Sequence, residues 1–228
     1  MENVIEAKNL SKSFSTIQVL SDIDFALKSG ELVGIVGPNG CGKTTFLRIL
    51  SDIESPDSGV VKVFGKVVMI PQDNLLFPWF NVRKNISLGL KFRGMSSRDI
   101  DLRVDRVADE LGITAYLRSY PSQISGGTAK KVAIARALVL EPDVLLLDEP
   151  FAGLDVSSVE NLLESLLKLK GRGISMVVVS HQIEELIEIA DRIYFFSHRP
   201  AHVKRVIDLQ NTSVAEGKKL IFELFKGV

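Results

Sequence analysis

Gly37-Pro38-Asn39-Gly40-Cys41-Gly42-Lys43-Thr44-Thr45 places an ammonium and two hydroxyls at the end of a glycine-rich turn. The turn follows an apolar run, Leu32-Val33-Gly34-Ile35-Val36, and precedes Phe46-Leu47-Arg48-Ile49-Leu50, so the order reads strand, turn, helix. Such a turn suits a chain of phosphates. Glycines let the backbone come close, inward-pointing N–H groups meet the oxygens, and the helix adds its positive end. The spacing fits G-x-x-x-x-G-K-[ST], in which the lysine reaches the β- and γ-phosphates and the hydroxyl ligates Mg²⁺. Lys43 and Thr44 take those places, with Asn39, Gly40, Cys41, Gly42 and Thr45 as the rest of the phosphate cradle. The reading is a nucleoside triphosphate with Mg²⁺.

A second cluster, Val144-Leu145-Leu146-Leu147-Asp148-Glu149-Pro150, delivers two carboxylates at the end of a fully apolar strand. Ligands of parallel sheets bind at that carboxyl edge. Asp148 is read as the Mg²⁺ ligand. Glu149, pointing the opposite way along the strand, is read as the group that polarises water against the γ-phosphate. A third cluster, Ile124-Ser125-Gly126-Gly127-Thr128, joins a hydroxyl and two glycines at a helix start. By itself it reads first as a helix cap made by Ser125, with a second anion cradle as the alternative. As a cradle it implies two copies paired head to tail, each covering the other's nucleotide.

The elements that must hold these residues follow from patterning. Strands at 3–8, 17–27 and 59–70 would form a small antiparallel sheet, with Pro56-Asp57-Ser58-Gly59 as a turn. Helices are expected at 43–53, 82–92, 98–111, 128–140, 156–170 and 182–190, and from Ala215. Strands are expected at 144–147, 175–180, 192–196 and about 203–209. Alternating strands and helices argue an α/β fold with a mainly parallel sheet, interrupted by a helical block at about 80–140. The acidic stretch Asp105 to Asp109 reads as a solvated helix face.

The chain has 228 residues, with Lys+Arg equal to Asp+Glu at 28 each, so no charge argues for nucleic-acid binding. Cys41, the single cysteine, excludes an internal disulfide and points to a reducing compartment; a catalytic thiol is the alternative reading. The start shows no signal-peptide pattern, and no apolar run approaches the roughly 20 residues that span a bilayer.

Together these residues resemble the ATPase subunits of ABC transporters over nearly the whole chain. Gly37 to Thr45 match Walker A and Val144 to Glu149 match Walker B. Gln72 matches the Q-loop glutamine, Ile124 to Thr128 the signature, Leu154-Asp155 the D-loop, His181 the switch histidine and Phe14 the adenine-stacking aromatic. The resemblance implies one P-loop NTPase (RecA-like) domain over 1–228, with an N-terminal antiparallel subdomain, an inserted helical subdomain and a short tail at about 198–228. It implies that Gln72 senses Mg²⁺ and the attacking water, that His181 contacts the γ-phosphate, and that Ser125, Gly126, Gly127 and Asp155 meet the partner copy's nucleotide. Phe14 reads alternatively as a core aromatic, and a stacked base would also admit GTP. Thr128 stands where glutamine is usual, and Lys130-Lys131 where Gln-Arg is frequent, which bears on the strength of contacts across the pair.

Pro71-Gln72-Asp73-Asn74-Leu75-Leu76-Phe77-Pro78-Trp79-Phe80 and Ser197-His198-Arg199-Pro200 resemble the nitrate/sulfonate/taurine importer group, whose relatives include carriers of thiamine precursors. This implies transmembrane permease subunits as partners at the cytoplasmic face of the membrane. It also implies a substrate-binding protein acting outside. Phe77, Trp79 and Phe80 would line a groove for a permease helix or pack within the helical block. An exporter subunit, a non-transport cassette and a nucleotide-gated scaffold are the rival readings.

Overall fold

A computed structural model of the chain describes residues 2–73, 75–210 and 214–226; Asn74, in the aromatic segment, and residues 211–213 and 227–228 of the tail lie outside the described residues. In chain order the strands are β1 (Asn3–Phe14), β2 (Ile17–Lys28), β3 (Leu32–Val36), β4 (Ser58–Val63), β5 (Val67–Ile70), β6 (Val144–Asp148), β7 (Ser175–Val179), β8 (Arg192–Phe196) and β9 (Val203–Asp208). The helices are α1 (Lys43–Leu50), α2 (Val82–Phe92), α3 (Ser97–Glu110), α4 (Gly126–Leu138), α5 (Val156–Gly171), α6 (Ile183–Ile189) and α7 (Val214–Lys226).

The apolar runs at β3, β6 and β7 bury all of their residues. Alternate side chains still face opposite ways. Leu145 and Leu147 join one core, Val144 and Leu146 the other; Met176 and Val178 divide likewise from Val177 and Val179. Both faces of the sheet are covered, so the sequence shows unbroken aliphatic runs rather than a polar/apolar alternation. The sheet order is β5-β6-β7-β3-β8-β9. Its first five strands are mutually parallel, and β9 runs antiparallel to β8. One core lies between this sheet and the helices α2 to α6, with Ile221 of α7. The other lies between the sheet, α1 and an antiparallel sheet of order β2-β1-β4.

Two expectations about strands need correction. Residues 59–70 are not one arm of the antiparallel sheet, because Val67–Ile70 pairs parallel with Val144–Leu147. The chain changes sheets at Gly65, with φ +113°, where a Cβ would lie 2.6 Å from Asp143 Oδ2. That same carboxylate accepts the Lys66 N–H at 2.6 Å. The first strand, in turn, runs to Phe14 rather than stopping at Lys8. Its apolar pattern breaks because the register shifts between Ala7 and Leu10, and Asn9, at φ 49°, donates its N–H to Asp24 Oδ1 at 2.8 Å.

Helix starts follow capping chemistry. Asn81, Ser96, Ser125 and Asp155 accept backbone N–H groups at the starts of α2, α3, α4 and α5. Val82, Ile86 and Leu90 of α2 and Ile100, Val104 and Val107 of α3 point into the core. Asp101 and Asp105 face outward to Arg83, as a solvated face should. Among the described residues no helix is long and apolar enough to cross a membrane.

Candidate functional site

Each parallel strand delivers something to one edge of the sheet. Beyond β5 stands Gln72, β6 ends in Asp148 followed by Glu149, β7 leads to His181, β3 to the phosphate loop, and β8 to Arg199. A cleft of about 350 Å³ at this edge is lined by Lys43, Thr44, Gln72, Asp148 and Glu149, with Asn39, Gly40, Gly42 and Thr45 of the loop and with Arg199. Residues far apart in sequence therefore meet where a parallel sheet places its ligands.

The loop is held from below by β2 and β8. Gly42 has φ +122°, and a Cβ on it would lie 2.7 Å from Val19 Cγ1. No side chain caps α1, so its first N–H groups face the cleft without a side-chain acceptor. Lys43 is buried and donates from Nζ to the carbonyls of Gly37 at 2.8 Å and Pro38 at 3.1 Å. Cys41 is buried in the core beside Phe46 and Leu47, and burial pushes its thiol up, which leaves the catalytic-thiol reading without a thiolate.

Asp148 is 3% exposed and accepts the Thr44 hydroxyl on Oδ2 at 2.8 Å. Its Oδ1 is buried with no protein partner. Burial, and to a lesser degree the neighbouring Glu149, pushes this carboxyl up. A buried carboxylate oxygen without a donor, next to a threonine hydroxyl, fits a hard cation held by oxygen. Among the described residues no group of three or more His, Cys, Asp or Glu side chains could hold a metal. A Mg²⁺ here would accordingly take most of its ligands from phosphate and water, as that ion does beside nucleotides.

Glu149 does not continue the strand alternation. Its φ of 46° is in the left-handed region, so the chain turns and returns its carboxylate to the cleft that Asp148 lines. Its Oε2 accepts the His181 N–H at 3.2 Å and stands 2.8 Å from His181 Nδ1. The His181 ring is more than half exposed and does not itself line the cleft. Its contact is with the carboxylate.

Five further residues do not line this cleft, four of them being expected against a partner copy's nucleotide instead. Phe14, at the end of β1, is 45% exposed, with Lys12 Nζ 5.1 Å from its ring centroid. It is not a core aromatic, and it does not line the cleft. Ser125, Gly126, Gly127 and Asp155 are also away from it. Ser125 accepts the Thr128 N–H at 3.2 Å, and its Oγ stands 3.0 Å from Thr128 Oγ1, so the threonine that replaces glutamine closes onto the cap. Asp155 caps α5 through Ser158 and accepts the Ser157 hydroxyl; these bonds lower its carboxyl to about 2. The two helix starts abut at Gly127, where a Cβ would lie 2.6 Å from Ser158 Oγ. Gly127→Ala should drive them apart and cost about 1–3 kcal/mol in a denaturant midpoint measurement.

Sequence reasoning missed three residues. Arg199, after β8, lines the cleft and donates from Nε to the Gly40 carbonyl. Applying the carboxyl-edge rule to every parallel strand would have flagged it. Asn85 is buried in α2 and accepts the Phe77 N–H at 2.8 Å while donating to the carbonyls of Phe77 at 3.1 Å and Phe80 at 2.9 Å. It pins the aromatic segment. Phe77 lines an apolar groove of about 420 Å³ with Val68, Ile70, Leu75, Leu88 and Phe92. Trp79 is 66% exposed beside it rather than packed in the helical block. Lys130 of α4 reaches the Gln72 carbonyl at 2.7 Å.

Residues 20–152 match the family described as ABC transporter. The aliphatic sulfonates import ATP-binding protein SsuB of Bacillus anthracis is 36% identical over 211 residues, which cover 89% of this chain and 83% of the relative. The nitrate import ATP-binding protein NrtD of Synechocystis sp. (strain ATCC 27184 / PCC 6803 / Kazusa) is 34% identical over 218 residues, 90% of this chain and 82% of that one. Among solved structures, the dimeric structure of MJ0796, a bacterial ABC transporter cassette, superposes with a TM-score of 0.81 at 28% identity, covering 90% of this chain and 98% of that chain. A dimeric post-hydrolysis state of the same cassette, bound to ADP and Pi, gives the same values.

Proposed function

We propose that this chain, which belongs to the ABC transporter family and is an ATPase, is the motor subunit of an import system for a small solute. The observation that carries the reading is the cleft at the carboxyl edge. There Lys43, the bonded pair Thr44 and Asp148, and Glu149, whose carboxylate is bonded from behind by His181, converge on the space beside the phosphate loop. Import is supported by the names of SsuB and NrtD, which belong to sulfonate and nitrate systems. The cargo is read as a small solute of that type or a thiamine-precursor-like pyrimidine.

The phosphates of ATP would lie along the loop, taking N–H groups from the start of α1 and the ammonium of Lys43. Thr44 and Asp148 would hold Mg²⁺, which when bound offsets the phosphate charge, and Gln72 would stand beside it. Glu149 would accept a proton from water aimed at the γ-phosphate, while His181 keeps its carboxylate turned toward the cleft. Phe14 would stack on the base. The exposed turn Ser125 to Gly127 and Asp155 would cover the nucleotide of a second copy, a pairing supported by the dimeric cassette above. ATP favours the paired state only through contacts it makes there and not in the open one. One ATPase domain spanning 1–228, with its helical part at about 80–140, would then work on permease subunits at the cytoplasmic face of the membrane, fed by a substrate-binding protein.

The groove beside Gln72 is the proposed seat for a permease helix. Leu75 is 62% and Phe92 84% exposed along it, and an amphipathic helix fits an apolar trough of this kind. Co-expression with the permease tests the function. The chain should co-purify with it and hydrolyse ATP faster when the binding protein and cargo are added. A complex indifferent to any binding protein would instead favour an exporter. Trp79→Ala should reduce co-purification at least several-fold while ATP binding is retained, as loss of an exposed aromatic anchor does elsewhere. Undiminished co-purification would remove Trp79 from the docking surface.

A further inference from the structure

Among the described residues five charged side chains are buried: Lys12, Glu31, Lys43, Lys130 and Asp148. Four have an evident reason. Lys12 pairs with Glu54 and Asp57, Glu31 pairs with Arg192, and Lys43 and Asp148 line the nucleotide cleft. Lys130 is 3% exposed, as deep as Asp148, yet among the described residues no carboxylate stands within ion-pair distance of it. Its recorded hydrogen bond is to the backbone carbonyl of Gln72, at 2.7 Å and across 58 positions of sequence. Asp73 and Asp148 attract it only from farther away, and desolvation pulls its pKa down. A buried ammonium is expensive to keep. An uncharged side chain of similar length would fill the space on α4 at less cost, so packing alone does not account for a lysine here.

The bond joins two parts of the site that sequence separates. Gln72 lines the cleft beside Asp148 and Glu149. Lys130 lies in the second turn of α4, the helix whose first turn is capped by Ser125. We propose that Lys130 is a positioning residue: its bond to the Gln72 carbonyl fixes the backbone there, sets the Gln72 side chain in the cleft, and ties it to the helix that presents Ser125. This rests on the reading of Gln72 as a nucleotide-site residue. The strut means that a displacement of Gln72 carries α4 with it, so a chain's own cleft and the turn it offers to a partner copy move together.

The test is a double-mutant cycle on the full chain, read as single-turnover ATP hydrolysis at saturating Mg²⁺ and ATP. Nucleotide affinity and thermal midpoint are measured in parallel. Lys130→Met keeps the apolar stem and removes the donor, and burial of a neutral side chain there is expected to leave the protein folded. It should slow hydrolysis about tenfold with nucleotide affinity changed by less than about twofold. Lys130→Arg should restore most of the rate, because it regains a donor to the carbonyl. Gln72→Ala should be slowed on its own. In that background Lys130→Met should add less than about a twofold change, since nothing remains to be positioned. Multiplicative effects of the two substitutions, or an arginine variant as slow as the methionine one, would overturn the strut. Gln72→Ala at the parent's rate would overturn the reading of Gln72 itself, and that arm contains no change at Lys130.

Discussion

Glu149→Gln is expected to slow ATP hydrolysis about a hundredfold or more, the range a general base supplies, with ATP affinity preserved. The substitution is nearly isosteric. The amide oxygen can still accept the His181 N–H that Glu149 Oε2 accepts at 3.2 Å, so the loop after β7 keeps its anchor. What disappears is the negative charge that would draw a proton from water. The other carboxylate at this edge is already committed, because Asp148 Oδ2 accepts the Thr44 hydroxyl at 2.8 Å and the side chain is buried beside the phosphate loop. ATP that binds without being consumed should hold two copies together, so the variant should elute as a dimer from a sizing column with MgATP, where the parent reverts to monomer as it turns over. Turnover equal to the parent's would assign the base elsewhere. His181→Ala should lower turnover less than Glu149→Gln does, since the carboxylate remains and only its orientation is released.

The parts of this site that could be read from residues alone are those whose chemistry is local. The turn from Gly37 to Thr45 carries its own strand, glycines and helix start within about twenty positions, and Asp148 directly follows a short aliphatic run whose length suits a buried strand. Other features depended on partners that sequence does not reveal. Val67–Ile70 has the composition of either sheet; a hydrogen bond from Lys66 to Asp143, 77 positions away, accompanies its parallel pairing. Glu149 looked like the alternate residue of a strand, but a left-handed backbone turns it into the same cleft as its neighbour. Lys130 looked like half of a basic pair on a helix, yet it is buried while Lys131 is partly exposed, a difference set by where β5 delivers Gln72. Arg199 belonged to a short motif with no chemistry of its own until β8 placed it against Gly40. Resemblance supplied Gln72, His181 and Phe14, whose types and spacing carry little meaning without it.

Lys43→Ala carries the other large expected effect, a loss of ATP affinity of about tenfold or more with turnover falling at least in proportion. Opposite charges about 4 Å apart near a protein surface attract by about 4 kcal/mol before desolvation, so an ammonium facing several phosphate oxygens outweighs the neutral N–H groups around it one for one. Lys43 is already largely desolvated, at 7% exposure, and satisfied by the carbonyls of Gly37 and Pro38, so moving it onto phosphate exchanges two neutral acceptors for charged ones at little further desolvation. Those same carbonyls make the alternative explicit: the lysine could serve only to staple the loop closed. The nucleotide series separates the two. A phosphate contact predicts that affinity falls steeply for ATP, less for ADP and hardly at all for AMP, whereas a slackened loop weakens all three alike. Added salt makes the same distinction, since the parent should lose its advantage over the alanine variant as ionic strength rises if the contact is electrostatic and keep it if the lysine acts only on the loop.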